Sequence, residues 1–287
     1  MFKFVEKTKI WFTISLIVIA IGIVSLGVKG LNFGIDFKGG TLIQIDMKQE
    51  FDKNEVTKMI KKYADDIQTN KAYADKSVQL EVRSNSITND NVSKLFKEVK
   101  SKYKKAELKA QDTIGASIGS ELKHKAFIAA VIATIAMLIY IGVRFEFKFG
   151  LAAIIALVHD ILITLSVYTL LQIPVNSPFI AAMLTILGYS INDTIVVFDR
   201  IRENQKKMRG KNINEITNSS ISQTLTRSIN TVITTLFTII AVNILVPSVR
   251  EFTIPLIIGV ISGCYSSIFI ASPTWVLLKK KTKKATV

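Results

Sequence analysis

The chain has 287 residues, 49% of them hydrophobic, and a formal net charge of +15. That hydrophobic share is ordinary for a globular protein, but the apolar residues fall in blocks flanked by basic ones. The charge is therefore read as membrane topology rather than as a nucleic-acid surface, and no aromatic-plus-basic RNA motif accompanies it. A single cysteine, Cys264, lies inside an apolar block; it excludes a disulfide framework and a cysteine metal site, and is read as a packing residue.

The basic N-terminus, Met1 to Lys9, runs into Ile10–Val28, an uncharged apolar run of 19 residues. A signal peptide has a shorter apolar region and a small-x-small cleavage site, so this run is read as an uncleaved first spanning helix. The next hundred residues are polar but patterned. Thr41–Met47 mixes apolar and polar residues as a strand does, and Val78, Leu80 and Val82 alternate with Gln79, Glu81 and Arg83 as a second strand. Asp52 followed by Glu55 reads as a capping box opening a helix to about Tyr63, and Val92, Leu95, Phe96 and Val99 have helical spacing. The order β, α, β, α implies a small α+β domain of ferredoxin-like type.

Five further runs are close to the roughly 20 residues that a bilayer core requires. They are Ala126–Val143, Phe149–Leu171, Phe179–Phe198, Ile229–Val246 and Phe252–Leu278, the last containing Pro255 and Pro273. The expected division is a cytoplasmic N-terminus and first helix in 1–29, an extracytoplasmic domain in 30–124, and helices two to six with a basic cytoplasmic tail in 125–287. Orientation follows from the short loops: Lys3, Lys7 and Lys9; Arg144 and Lys148; the cluster from Arg200 to Lys211; and Lys279 to Lys284 all fall on one side if there are six helices. That side is the cytoplasm by the positive-inside rule.

Ionisable residues inside spanning helices cost at least about 2.5–3.5 kcal/mol on insertion scales and are functional candidates by default. His159 and Asp160 sit in the third helix, with Asp160 roughly 16 Å from its start, near the midplane. Asp160 is read either as a functional carboxylate or as a buried packing acid. Asn192 and Asp193 lie in the fourth helix, Asp193 roughly 9 Å inside the interface marked by Asp199 and Arg200. Ser190 and Thr194 add polar atoms around them. Arg227 precedes the fifth apolar block; if that helix starts near Ser220, Arg227 is within reach of Asp193, and otherwise it snorkels to the interface. Asn230, Thr231, Thr234 and Thr235 make the same helix polar near its start. Gly259 and Gly263 form a weak small-xxx-small packing signal. No nucleophile–base pair or metal cluster appears, and Gly39-Gly40 lacks the downstream Lys-Ser/Thr of a phosphate-binding loop. No cofactor or metal is expected, and any energy comes from the membrane gradient.

Five stretches together resemble the SecF family, a subunit of the bacterial SecD–SecF accessory complex of protein export. They are Asn32-Phe-Gly-Ile-Asp-Phe-Lys-Gly-Gly-Thr, containing Gly34, Asp36, Gly39 and Gly40; Ile114-Gly-Ala-Ser-Ile-Gly-Ser-Glu-Leu; Ala156-Leu-Val-His-Asp; the run from Gly188 through Asn192, Asp193, Asp199 and Arg200 to Asn204; and Gln223-Thr-Leu-Thr-Arg-Ser-Ile-Asn-Thr. The resemblance implies a subunit that uses the proton motive force to assist late preprotein export across the bacterial cytoplasmic membrane. It implies SecD, a SecYEG-type channel, the translocating preprotein and the lipid bilayer as partners, with no nucleic acid. It also implies that Asp193 and Arg227 belong to the proton path, and leaves the role of His159 and Asp160 open. The start at the first helix is taken as a stand-alone subunit rather than half of a fusion. The alternatives are a half-transporter of a proton-driven small-molecule efflux system, against which the single modest domain speaks, and a structural scaffold. Sodium in place of the proton stays open.

Overall fold

The computed structural model describes residues 2–74, 77–144 and 146–285. Among the described residues, six helical stretches are long and apolar enough to cross a bilayer. They are α1 (Thr8–Lys29), α5 (Ala116–Arg144), α6 (Phe147–Leu171), α7 (Ser177–Lys207), α8 (Ile213–Leu245) and the composite of α9 (Arg250–Ser266), a π turn (Ser267–Ala271) and α10 (Ser272–Ala285). The sixth span does not break at its prolines. Pro273 has no N–H to donate back into the helix, and the π turn just before it absorbs the missing bond. α5 begins at Ala116, about three turns ahead of its apolar run. α8 begins at Ile213, so Arg227 lies fourteen residues inside it, deeper than a start near Ser220 implies.

α6, α7 and the sixth span form the buried centre, with Phe149 stacked on Trp275 at 4.7 Å and tilted on Phe198 at 4.8 Å. The small-residue signal is borne out where α7 crosses α9: a Cβ at Gly259 would sit 2.3 Å from Ile186 Cδ1. α1 packs on α6, while α5 and α8 leave large apolar side chains exposed, among them Ile132, Ile139 and Phe237. Such faces belong against lipid or another subunit. The side chains of Arg144, Lys281, Lys283 and Lys284, part of the basic clusters, lie outside the described residues.

Between α1 and α5 lies an antiparallel sheet of four strands, β1 (Gly40–Asp46), β2 (Gln68–Ala74), β3 (Ser77–Ser84) and β4 (Glu107–Ile114), in the order β2-β3-β1-β4. With α3 (Lys53–Ile60) after β1 and α4 (Asn89–Lys102) after β3, this is the ferredoxin-like arrangement. Ile43, Ile45, Leu80 and Val82 of the two central strands are fully buried against Val56, Ile60, Leu95 and Val99 of the helices. Asp52 caps α3 by accepting from the N–H groups of Asn54 and Glu55. The capping box is not closed, because the Glu55 carboxylate turns away to Lys102 at the end of α4 and to the hydroxyl of Tyr103 just after it.

Candidate functional site

The third helix carries Asp160 to the centre of the bundle, where it is wholly buried. Both of its oxygens are filled. Oδ1 accepts from Ser262 Oγ at 2.6 Å and faces His159 Nδ1 at 3.1 Å, and Oδ2 accepts from Ser190 Oγ at 2.6 Å and Ser266 Oγ at 2.8 Å. His159 Nε2 in turn lies 2.9 Å from Ser15 Oγ on α1, and its ring stacks on Tyr265. One carboxylate therefore ties α6 to α7 and α9, and its neighbouring imidazole adds α1. Buried carboxylates are tolerable when their lone pairs are satisfied in this way.

Asp193, on the buried side of α7, is different. Oδ1 accepts from Ser228 Oγ on α8 at 2.6 Å, while Oδ2 is buried and has no hydrogen-bond partner. An unfilled buried carboxylate oxygen costs free energy until a proton, a cation or another donor reaches it. Among the described residues no ion pair joins Asp193 to Arg227; Arg227 precedes Ser228, and its side chain is exposed on the outer face of α8. Asn192 is likewise exposed, on the neighbouring face of α7. The structure thus brings Asp193 to Ser228, and turns Asn192 and Arg227 outward together with Asn230 and Thr234. Tyr189 bridges the two helices by donating to Thr231 O at 3.2 Å, with Thr235 Oγ1 at 3.1 Å.

Other motif residues lie elsewhere. Gly188 is exposed on α7, and a Cβ there would meet no neighbouring element. Asp199 and Arg200 are half-exposed near the far end of α7, where Arg200 pairs with Glu203 at 2.9 Å. Gly34, Asp36, Gly39 and Gly40 lie at the opposite end, where the chain passes from α1 to β1. There α2 (Ile35–Lys38) sits against the α6–α7 loop, with Gly34 N donating to Val175 O and Asp36 Oδ2 accepting from Ser177 N. Sequence reasoning missed Ser15, Ser228, Ser262 and Ser266. Serine at i and i+4 in a spanning helix, as at Ser262 and Ser266, is a one-face polar signal that would have located the last two. No group of metal-ligating side chains occurs among the described residues.

A six-span bundle with buried carboxylates at its centre and a ferredoxin-like domain at one end defines a polytopic membrane protein. Comparison with known proteins narrows this class. Residues 92–281 match the model of the protein export membrane protein SecD/SecF C-terminal family, and residues 24–50 match the SecD/SecF GG motif. The protein translocase subunit SecF of Sebaldella termitidis is 37% identical over 98% of this chain and 93% of that protein. The corresponding SecF subunit of Calditerrivibrio nitroreducens is 38% identical over 98% and 95%. The crystal structure of SecDF from Thermus thermophilus, a translocon-associated membrane protein, superposes with a TM-score of 0.88 at 33% identity; the match covers 97% of this chain and 39% of that one. The chain belongs to the SecF family of protein export membrane subunits. The small-molecule efflux reading is set aside on that finding.

Proposed function

We propose that this subunit couples proton entry to preprotein export, and that Asp193 is the group that takes up and releases the proton. The observation that carries the reading is the contrast between the two buried carboxylates. Asp160 has four partners and no vacancy, whereas Asp193 has one oxygen on Ser228 and one without a partner. A proton on the unpartnered oxygen removes the cost of an incompletely paired charge, and its departure restores that cost. The site is therefore two-state by construction.

The outward polar face of α7 and α8 supports the choice of partner. Asn192, Arg227 and Asn230 are exposed in the spanning part of the bundle, and polar groups there do not face lipid without a large cost. A second six-helix half, SecD, covers this face and brings its own polar groups to Arg227; the Thermus chain, of which this protein matches 39%, is SecDF. In this arrangement the termini are cytoplasmic, the ferredoxin-like domain lies outside the cytoplasmic membrane, and it meets preprotein emerging from a SecYEG-type channel. The basic loops opposite the domain support that orientation.

The test is preprotein export into membrane vesicles carrying Asp193→Asn with SecD, measured with the proton gradient imposed and collapsed. Loss of only the gradient-dependent part supports the reading, and an unchanged gradient-dependent part removes it. Exchange of sodium for potassium separates the two ions: the proton reading requires no effect.

A further inference from the structure

The Gly-Gly segment between α1 and β1 has no part in the proton site, yet it bonds to the bundle at several points. Phe33 and Val175 form a β-bridge, in which Val175 N donates to Asn32 O at 2.8 Å and Gly34 N to Val175 O at 2.9 Å. A Cβ at Gly34 would lie 1.4 Å from Asn176 Oδ1, so a side chain there would displace Asn176. Asp36 then reaches the first residue of α7, accepting from Ser177 N at 2.7 Å.

That bond is unusual in its origin. The residue preceding α7, Asn176, makes no capping bond with its own side chain, and Pro178 has no N–H to offer. The cap is supplied from outside the helix by a carboxylate, whose charge also suits the positive end of the helix dipole. Asn176 is engaged elsewhere: its Nδ2 donates to Glu251 Oε2 at 2.6 Å, and Glu251 Oε1 accepts from Arg83 of β3 at 3.0 Å. The segment continues directly into the central strand β1 through Gly39 and Gly40, at φ 78° and 123°, backbone angles that side-chain-bearing residues rarely adopt. Two routes therefore join the sheet to the outer ends of α7 and α9. One runs from β1 through Asp36 to α7, and the other from β3 through Arg83 and Glu251 to α9 and Asn176.

α7 is one continuous helix from Ser177 past Asp193, about 24 Å along its axis. A displacement of α7 at Asp193 is thus carried to its capped end as a rigid body. We propose that Asp36 is a positioning residue of the export cycle: as the external cap of α7, with the Arg83–Glu251–Asn176 strut beside it, it transmits movement of the Asp193 helix to the ferredoxin-like domain. This rests on the reading of Asp193 as the proton site. Asp36 neither carries the proton nor touches preprotein.

The experiment uses the full chain with SecD in vesicles and reads three quantities: complex yield, proton flux under an imposed gradient, and the gradient-dependent part of export. Loss of a cap is worth about fivefold in an equilibrium. Asp36→Ala is accordingly expected to lower gradient-dependent export about fivefold, while yield and proton flux stay near wild type. Asp36→Asn, whose side-chain oxygen also caps, is expected to restore export. If Asp36→Ala exports normally, or if proton flux falls in step with export, Asp36 is not a coupler. If Asp36→Ala fails to assemble, Arg83→Gln cuts the second route at its β3 end and is judged by the same readouts and limits. Asp193→Asn run in parallel separates the two ideas. Should it keep full gradient-dependent export, the proton reading fails; should it lose export while Asp36→Ala keeps it, the coupler alone fails.

Discussion

Replacing Asp160 by Leu is the sharpest test of what holds the bundle centre together. The wild-type carboxylate receives three serine hydroxyls, from Ser190, Ser262 and Ser266, and faces His159 Nδ1. Leu fills a similar volume but accepts nothing. The serines recover part of the loss by turning to carbonyls one turn back, as Ser266 already does toward Gly263 O at 3.2 Å. His159 keeps only Ser15. Stranded buried polar groups cost about 1–3 kcal/mol each, and breaking a buried charged network by removing one member costs about 3–5 kcal/mol. Against a total stability of about 5–15 kcal/mol this is large, and it corresponds to a fall in melting temperature of roughly 10 °C. Asp160→Asn keeps the volume and one acceptor, and the serine hydroxyls rotate to accept from the new amide. It should cost only about 1–2 kcal/mol. The assay is thermal unfolding of the purified protein in detergent, followed by tryptophan fluorescence, since Trp275 is fully buried in the same core. A Leu variant that melts within about 2 °C of wild type would refute the reading of Asp160 as the structural knot. So would an Asn variant that melts normally but has lost gradient-dependent export.

Three other outcomes follow from the geometry. Gly259→Leu drives a side chain into Ile186, 2.3 Å from the position of its Cβ. It should destabilise the bundle by about 1–3 kcal/mol, measurable by the same melt and partly relieved by Ile186→Ala. Ser228→Ala removes the one hydrogen bond to Asp193. It should weaken gradient-dependent export while leaving the expression level unchanged, and equal export in wild type and variant contradicts the site as described. In the ferredoxin-like domain, burial raises the Asp66 carboxyl, but hydrogen bonds from Ser84, Ser86 and the Asn85 N–H outweigh it and hold it below its ordinary 3.8. A carboxyl depressed by folding contributes stability that is fully present above 3.8 and is lost as the pH falls through the lower folded value. Asp66→Ala should therefore make the domain more sensitive to trypsin at neutral pH, with an acid-stable protease finding wild type and variant alike in strong acid.

The six spans were legible because bilayer thickness sets a length that apolar runs reveal directly. The domain was legible only at its centre. β1 and β3 are flanked on both sides, so their inward residues Ile43, Ile45, Leu80 and Val82 show the alternation. β2 and β4 are the edges of the sheet, and a sequence such as Glu-Leu-Lys-Ala-Gln-Asp-Thr-Ile carries little inward pattern to read. Asp160 and Asp193 stood out because charge in a membrane is conspicuous. What separates them did not, since it lies in serines supplied by other helices. Ser262 and Ser266 reach Asp160 from α9, Ser190 reaches it from α7 beside Gly263, and Ser228 rather than its neighbour Arg227 faces Asp193. One residue along a helix turns the side chain by about 100°, enough to exchange an ion pair for a hydroxyl. Capping of α7 by Asp36 was likewise invisible, because the two residues are 141 positions apart in the chain.

The most direct measurement is modification by a hydrophobic carbodiimide, which attacks protonated carboxyl groups inside membranes, mapped by mass spectrometry on the purified complex in lipid. The account predicts that Asp193 is labelled, that labelling declines as the pH is raised, and that Asp160, enclosed by its three serines and His159, is not labelled. Labelling of Asp160 with Asp193 left unmodified would contradict it and move the proton site to the third helix.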